Sequence, residues 1–132
     1  MDLYFAPLAC SMATRIALYE AGVEARFVEV DPVTKRTLPD DADFRAVHAL
    51  GLVPVLRTDH GDVLTENAAV LQYVAARFPE AKLAPEGPLG ALRLQEWLSF
   101  IGTELHKGTF APLLDAKSPD GAKAYALEKV RL

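Results

Sequence analysis

The stretch "DLYFAPLACSMATRIALYEAGVEARFVEV", residues 2–30, decides the fold. "DLYFA" (2–6) is short, aromatic and apolar, and Pro7 ends it, which marks a buried strand. From Cys10 to Ala21 the apolar residues Ala13, Ile16, Ala17, Tyr19 and Ala21 return at helical spacing, and Gly22 supplies a left-handed stop. "ARFVEV" (25–30) alternates with a period of two and reads as a second strand. A strand, a helix and a strand with short joints form a right-handed crossover unit, so the two strands are expected to lie parallel.

Downstream, "DPVTKRTLPDDAD" (31–43) is polar with two prolines and reads as a loop, and "FRAVHAL" (44–50) as a short helix. "LVPVLRTD" (52–59) is a third strand, "HG" (60–61) a turn and "DVLT" (62–65) a fourth strand; so tight a joint makes that pair antiparallel. "ENAAVLQYVAARF" (66–78) is a helix with Ala69, Val70, Tyr73, Val74 and Phe78 as its buried stripe. Residues 79–90, "PEAKLAPEGPLG", hold three prolines and two glycines and mark a linker. "ALRLQEWLSFIGTELHKG" (91–108) is a long helix with Leu94, Leu98, Ile101 and Leu105 along one face. "SPDGAKAYALEKVRL" (118–132) opens on the helix-start residues Ser118 and Pro119. The expectation is an α/β protein with a βαβ-ββα mixed four-stranded sheet over 1–79, a linker over 80–90 and a partial all-helical domain over 91–132.

Composition narrows the function classes. Of 132 residues, 51% are hydrophobic and 24% charged, the balance of a globular chain. A net charge of -4 gives no reason to expect nucleic acid, and no apolar run is long enough to span a bilayer. The opening "MDLYFAPLAC" lacks a basic region followed by a long apolar stretch, so no signal peptide is expected. A single cysteine cannot form an internal disulfide, which fits a reducing compartment and a cytoplasmic location.

That cysteine is the first candidate for chemistry. Cysteine often serves as a small buried hydrophobe. Cys10, however, stands at the first turn of the first helix, where backbone N–H groups and the helix dipole favour a thiolate. The position three residues on, where a dithiol oxidoreductase keeps its second cysteine, holds Ala13, so a redox cycle there must borrow a thiol from a small molecule. Pro54 interrupts a strand; either the strand is an edge or the Val53–Pro54 bond is cis and turns the Val53 backbone outward to a peptide-like ligand. Thr65 suits a helix N-cap. Glu66 behind it either compensates the dipole or, with the N–H groups of Glu66 and Asn67, holds a ligand's carboxylate and ammonium. Lys35 and Arg36 are a solvated basic pair, unless their loop folds over the first site and Lys35 meets a second carboxylate. Ser99, Thr103 and His106 share one face of the long helix, either simply solvated or lining a site. His48 and His60 receive no role, and no metal site is expected.

In this order, "LYFAPLACSMATRIALYEAG", "DPVTKR", "GLVPVL", "LTENAAVLQYVA" and "LQEWLSFIGTELHKG" resemble the glutathione transferases, most nearly the bacterial beta class, from Met1 to about Leu114. The resemblance implies a thioredoxin-like domain that binds glutathione as co-substrate and a helical domain that shapes the site for a small electrophile. By it, Cys10 faces the glutathione sulfur, able to form a mixed disulfide. Val53, before a structural cis-proline at Pro54, pairs with the cysteinyl backbone. Glu66 and Asn67 hold the γ-glutamyl end and Lys35 the glycyl carboxylate. Ser99, Thr103 and His106 close the site, with His106 assisting proton transfer, and a homodimer is implied. Departures are Ala9 where a hydroxyl residue is frequent, Phe5 where a tyrosine is frequent, and Asn67 for Gly or Ser. Tyr4 stands one place before Phe5, and alternation sends it to the opposite face of the strand. The family's helical domain continues further than Leu132, so the chain reads as a fragment or a shortened descendant. The functions to weigh are conjugation or thiol exchange with glutathione, a non-catalytic binding or regulatory module of the same fold, and an inactive truncated form.

Overall fold

A computed structural model describes residues 1–130 as two compact units, Met1–Ala84 and a second that begins at Pro85; Arg131 and Leu132, which end the last helix of the sequence reading, lie outside the described residues. The first unit runs β1 (Asp2–Phe5), α1 (Ser11–Glu20), β2 (Arg26–Val30), β3 (Thr37–Leu38), a 3-10 turn (Phe44–Ala46), β4 (Val55–Arg57), β5 (Val63–Thr65) and α2 (Asn67–Arg77). The sheet order is β3-β2-β1-β4-β5, with β1 parallel to β2 and the other pairs antiparallel. The expected parallel β1–β2 unit and the β4–β5 hairpin are both present.

The sheet has five strands, one more than the sequence reading allows. The additional strand, β3, lies in the polar segment 31–43, where Thr37 pairs with Val30 and Leu38 with Glu29. A two-residue strand is too short to show alternation, and Pro39, immediately after it, disguised the segment as loop. Residues 44–50 likewise supply a 3-10 turn rather than a longer helix, capped by the Asp43 carboxylate, which accepts from the Arg45 N–H at 2.9 Å.

The register explains the two-sided core. Leu3 lies opposite Phe27 and Leu56, and this row joins Leu18 of α1 and Val70 and Val74 of α2 on the helical face. Tyr4 lies opposite Val28 and Val55, and this row packs with Val30 and Phe44 on the other face. The side-chain period of two in a strand thus divides Leu3 and Phe5 from Tyr4. Phe44 is fully buried and stacks on the Tyr4 ring at 5.3 Å, so the 3-10 turn acts as a lid on that second face.

The face of α1 that is buried is not the apolar stripe read from the sequence. Ser11, Thr14 and Leu18 are inside, whereas Ile16 and Tyr19 are about half exposed and Ala13 is exposed. In α2, Val70 and Val74 are buried as expected, Tyr73 and Phe78 are half-buried, and Ala69 is exposed. The end of α1 is a two-bond left-handed cap: Gly22 at φ 64° donates to the Tyr19 carbonyl at 2.9 Å and Val23 to the Leu18 carbonyl at 3.1 Å.

The second unit contains α3 (Gly87–Phe100), a π-helical run (Ile101–Phe110), α4 (Ala111–Leu114) and α5 (Asp120–Val130). Its first helix starts at Gly87, before the 91 of the sequence reading. Pro112 has no amide to give to the Gly108 carbonyl. The chain ahead of it is widened to i→i+5 bonding: Ala111 donates to the His106 carbonyl, and the Thr109 hydroxyl to the Glu104 carbonyl at 2.9 Å. Lys129 of α5 pairs with Glu104 at 3.1 Å. Within the stripe Leu94 and Leu98 are half-buried, and Ile101 and Leu105 are exposed.

Two outcomes follow for the first unit. Phe44→Ala empties a wholly buried site and is expected to cost about 3–5 kcal/mol in urea or guanidinium unfolding; a loss under about 1 kcal/mol contradicts the lid. At the β1–β2 joint, Arg26 makes a two-pronged contact to Asp2, at 3.0 and 2.9 Å. The hydrogen bond from Arg26 is the main cause that holds the Asp2 carboxyl below its ordinary value of 3.8. Because the folded-state value is depressed, this stabilisation is complete above pH 3.8 and is lost as pH falls through the lower folded value. Arg26 is largely exposed, so the contribution is at most about 1 kcal/mol. Asp2→Asn should lower stability by that amount at pH 7 and narrow the gap to wild type below pH 3.8; a gap that does not change with pH excludes the carboxylate as its source.

Candidate functional site

The topology brings three separate segments to one end of the sheet. In the β1–β4 register Tyr4 faces Val55, so its continuation sets Phe5 beside Pro54 and Ala6 beside Val53. In the β4–β5 register Val55 faces Thr65, and its continuation sets Glu66 beside Pro54 on the other side. The loop into α1, the turn into β4 and the start of α2 are therefore neighbours by pairing alone.

Cys10 is the residue at the N-cap of α1, in right-handed backbone, and its thiol donates to the Val53 carbonyl at 3.4 Å. The Val53–Pro54 peptide is cis. Ser11 fixes the approach: fully buried, its hydroxyl accepts from the Ala6 N–H at 3.1 Å and donates to the Ala6 carbonyl at 3.3 Å. The helix-start amides are partly committed. Met12 donates to the Ala9 carbonyl at 3.0 Å and Ala13 to the Cys10 carbonyl at 3.1 Å. The donors left to face a ligand are therefore fewer than a helix start offers in general.

Thr65 ends β5 and is not the cap of α2. Glu66 holds that position in a left-handed backbone, φ 63° and ψ 116°, a conformation that costs a non-glycine residue roughly 1–3 kcal/mol. The Glu66 side chain is exposed, and its carbonyl accepts from Val70 at 3.0 Å. Asn67 is half-buried, and its Oδ1 accepts from the Thr14 hydroxyl of α1 at 2.8 Å. This bond joins the two helices whose starts carry Cys10 and Glu66. Thr14 was not singled out from the sequence; its signal is the i, i+3, i+7 spacing of Ser11, Thr14 and Leu18, concealed because two of the three are polar.

Lys35 also has left-handed backbone, φ 61°, anchored at both ends. Its N–H donates to the Asp31 carbonyl at 3.0 Å, and its carbonyl accepts from the Phe44 N–H at 2.9 Å. The Asp31 carboxylate accepts from Thr34 at 2.8 Å and Val33 at 2.7 Å, bonds that hold it below the ordinary carboxylate range. The side-chain stem of Lys35 reaches Gly51, two residues ahead of Val53. Arg36 instead turns to Asp41.

Ser99, Thr103 and His106 lie in the second unit, all exposed. The Ser99 hydroxyl accepts from Gln95 Nε2, and the Thr103 hydroxyl donates to the Ser99 carbonyl, each at 3.1 Å. Since Thr103 and His106 are in the π-helical run, a spacing of three no longer stacks them on one face as it would in an α-helix. Among the described residues no group of three or more His, Cys, Asp or Glu is placed to hold a metal ion, and no helix is long and apolar enough to cross a membrane.

A mixed sheet with a cysteine at the start of its first helix, facing a cis-proline turn, defines the thioredoxin-like class. Comparison with known proteins refines this. The model of the glutathione S-transferase N-terminal domain matches residues 9–77. Glutathione S-transferase GstA of Escherichia coli O157:H7 is 42% identical over 93% of this chain and 61% of its own length. A sphingomonad glutathione S-transferase solved with glutathione superposes at a TM-score of 0.92 with 45% identity, over 99% of this chain and 65% of that one. A bacterial beta class enzyme from Sphingomonas chungbukensis does so at 0.91 with 44%, over 99% and 65%. The chain belongs to the glutathione S-transferase family, and it spans about three fifths of the length of these relatives.

The Thr14–Asn67 bond gives this site its own test. Thr14→Val keeps the shape of a fully buried side chain but leaves Asn67 Oδ1 without that donor. We expect a loss of about 1–2 kcal/mol in chemical unfolding; a variant as stable as wild type means that the bond does not couple the two helices.

Proposed function

We propose that the protein binds glutathione and acts as a glutathione transferase, conjugating or exchanging its thiol with a small electrophile or disulfide. The observation that carries the proposal is the 3.4 Å contact between the Cys10 thiol and the Val53 carbonyl. It sets the one thiol of the chain against the backbone segment that, in this reading, turns to a peptide-like partner. In this reading Val53 pairs with the cysteinyl unit of glutathione, Glu66 and Asn67 receive the γ-glutamyl end, and Lys35 meets the glycyl carboxylate. Ser99, Thr103 and His106, with His106 as the assistant in proton transfer, belong to the proposal through the family resemblance alone. The resemblance also supports a homodimer, and the single cysteine supports a cytoplasmic location.

The Cys10 thiolate attacks the glutathione sulfur of a mixed disulfide, the old S–S bond breaks, and the other thiol leaves with the electron pair and takes up a proton. A second glutathione thiolate then attacks the Cys10–glutathione bond, releasing glutathione disulfide and restoring Cys10. In conjugation the glutathione thiolate itself attacks the electrophile and Cys10 is not consumed.

Retention of the full chain on immobilised glutathione, with elution by the free tripeptide, tests the binding. Cys10→Ala should still be retained yet lose at least about 100-fold in reduction of a glutathione mixed disulfide, since no other thiol can take its place. Unchanged disulfide reduction by that variant removes Cys10 from the chemistry; absence of retention by wild type removes glutathione from the proposal.

A further inference from the structure

Gly51 has left-handed backbone at φ 60° and is buried, with its N–H donated to the His48 carbonyl at 2.7 Å. A Cβ placed there would come within 3.2 Å of Lys35 Cδ, 3.3 Å of Lys35 Cγ and 3.7 Å of Arg45 Cγ. The first two distances are tighter than the optimal carbon separation of about 3.5–4.0 Å, so the lysine stem would have to give by a few tenths of an ångström. The methylenes of Lys35 therefore pass close to the Gly51 backbone, two residues before Val53. The Lys35 backbone has no slack with which to yield, since Asp31 and Phe44 hold it by hydrogen bonds on either side and Phe44 is fully buried. A side chain at 51 would therefore shift the lysine stem rather than its backbone.

We propose that Gly51 is a positioning residue: by lacking a Cβ it gives the Lys35 stem a fixed bed and so sets where the ammonium group meets the glycyl carboxylate of glutathione. The inference rests on the reading of Lys35 given above. It separates two reasons for a glycine here, the left-handed backbone and the close approach of Lys35. Asparagine enters left-handed backbone far more readily than alanine but still brings a Cβ.

The test measures affinity by calorimetry for glutathione and for its glycine monoethyl ester, which keeps the tripeptide and removes the carboxylate charge. Gly51→Ala and Gly51→Asn should both weaken glutathione by roughly five-fold, the scale of one partly screened ion contact, and alter ester binding less than about two-fold. In a Lys35→Met background, which retains a flexible stem without charge, the Gly51 substitutions should no longer discriminate between the two ligands. Equal weakening of glutathione and ester, discrimination that persists with Met at 35, or no weakening at all overturns the proposal. If wild type binds neither ligand, the glutathione reading itself falls; if it binds both alike, only the Lys35 assignment and this inference fall. Should neither Gly51 variant fold, nuclear Overhauser contacts between the Gly51 α-protons and the Lys35 γ- and δ-protons of wild type decide, and their absence overturns the close approach.

Discussion

The arrangement depends on β1 being buried on both faces. Leu3 is inaccessible on the side of α1 and α2, and Tyr4 nearly so on the side of Phe44. A slip of one residue would exchange these rows and bring Tyr4 under the helices, so the register is held by the whole core. Because β1 is central, that register also governs its neighbours. The C-terminal end of β1 is tied to the N-terminal end of β4, and β4 to the C-terminal end of β5. The segments that carry Val53 and Glu66 are set side by side by strand pairing, and the Cys10 thiol reaches the Val53 carbonyl at 3.4 Å.

The second layer of control is polar and internal. Ser11 and Thr14 are fully buried, and each has a partner: the Ala6 backbone for one, Asn67 for the other. A buried hydroxyl with no partner would cost about 1–3 kcal/mol, so these two specify the loop and the helix pair more sharply than methyl groups of the same size could. The same economy holds in the loop before the 3-10 turn. Asp31 closes a turn with its carboxylate, Lys35 is tied by both backbone groups, and Phe44 plugs the core beneath. Much of the backbone polar capacity of this loop is thus satisfied by hydrogen bonds within it.

How much of this could be read from residues alone follows from the length and polarity of each segment. The βαβ unit and the hairpin were legible because alternation, Gly22 and the His60–Gly61 turn are strong local signals. The Thr37–Leu38 strand was not, since two residues carry no period and its existence depends on pairing with Val30 and Glu29. The inner face of α1 was misread because it is built of Ser11 and Thr14, whose burial is bought by partners distant in sequence. For the same reason Thr65 passed for a cap. Its hydroxyl type is right, but the strand register carries the chain one residue further, and Glu66 takes the turn in left-handed backbone. The steps of four and three that united Ser99, Thr103 and His106 assumed an α-helix, an assumption that Pro112 defeats from beyond the segment.

Tyr4 bears on what chemistry the first unit can support. A phenol placed beside the Cys10 sulfur would be a ready hydrogen-bond donor to a thiolate. Here the only tyrosine of β1 is stacked on Phe44, with the Arg57 guanidinium 5.7 Å over its ring, on the face of the sheet away from α1. Phe5, which does share the face of α1, has no hydroxyl, and the Arg15 guanidinium sits 4.5 Å above its ring. One polar contact on Cys10 is with the Val53 carbonyl, an acceptor, to which the protonated thiol donates at 3.4 Å.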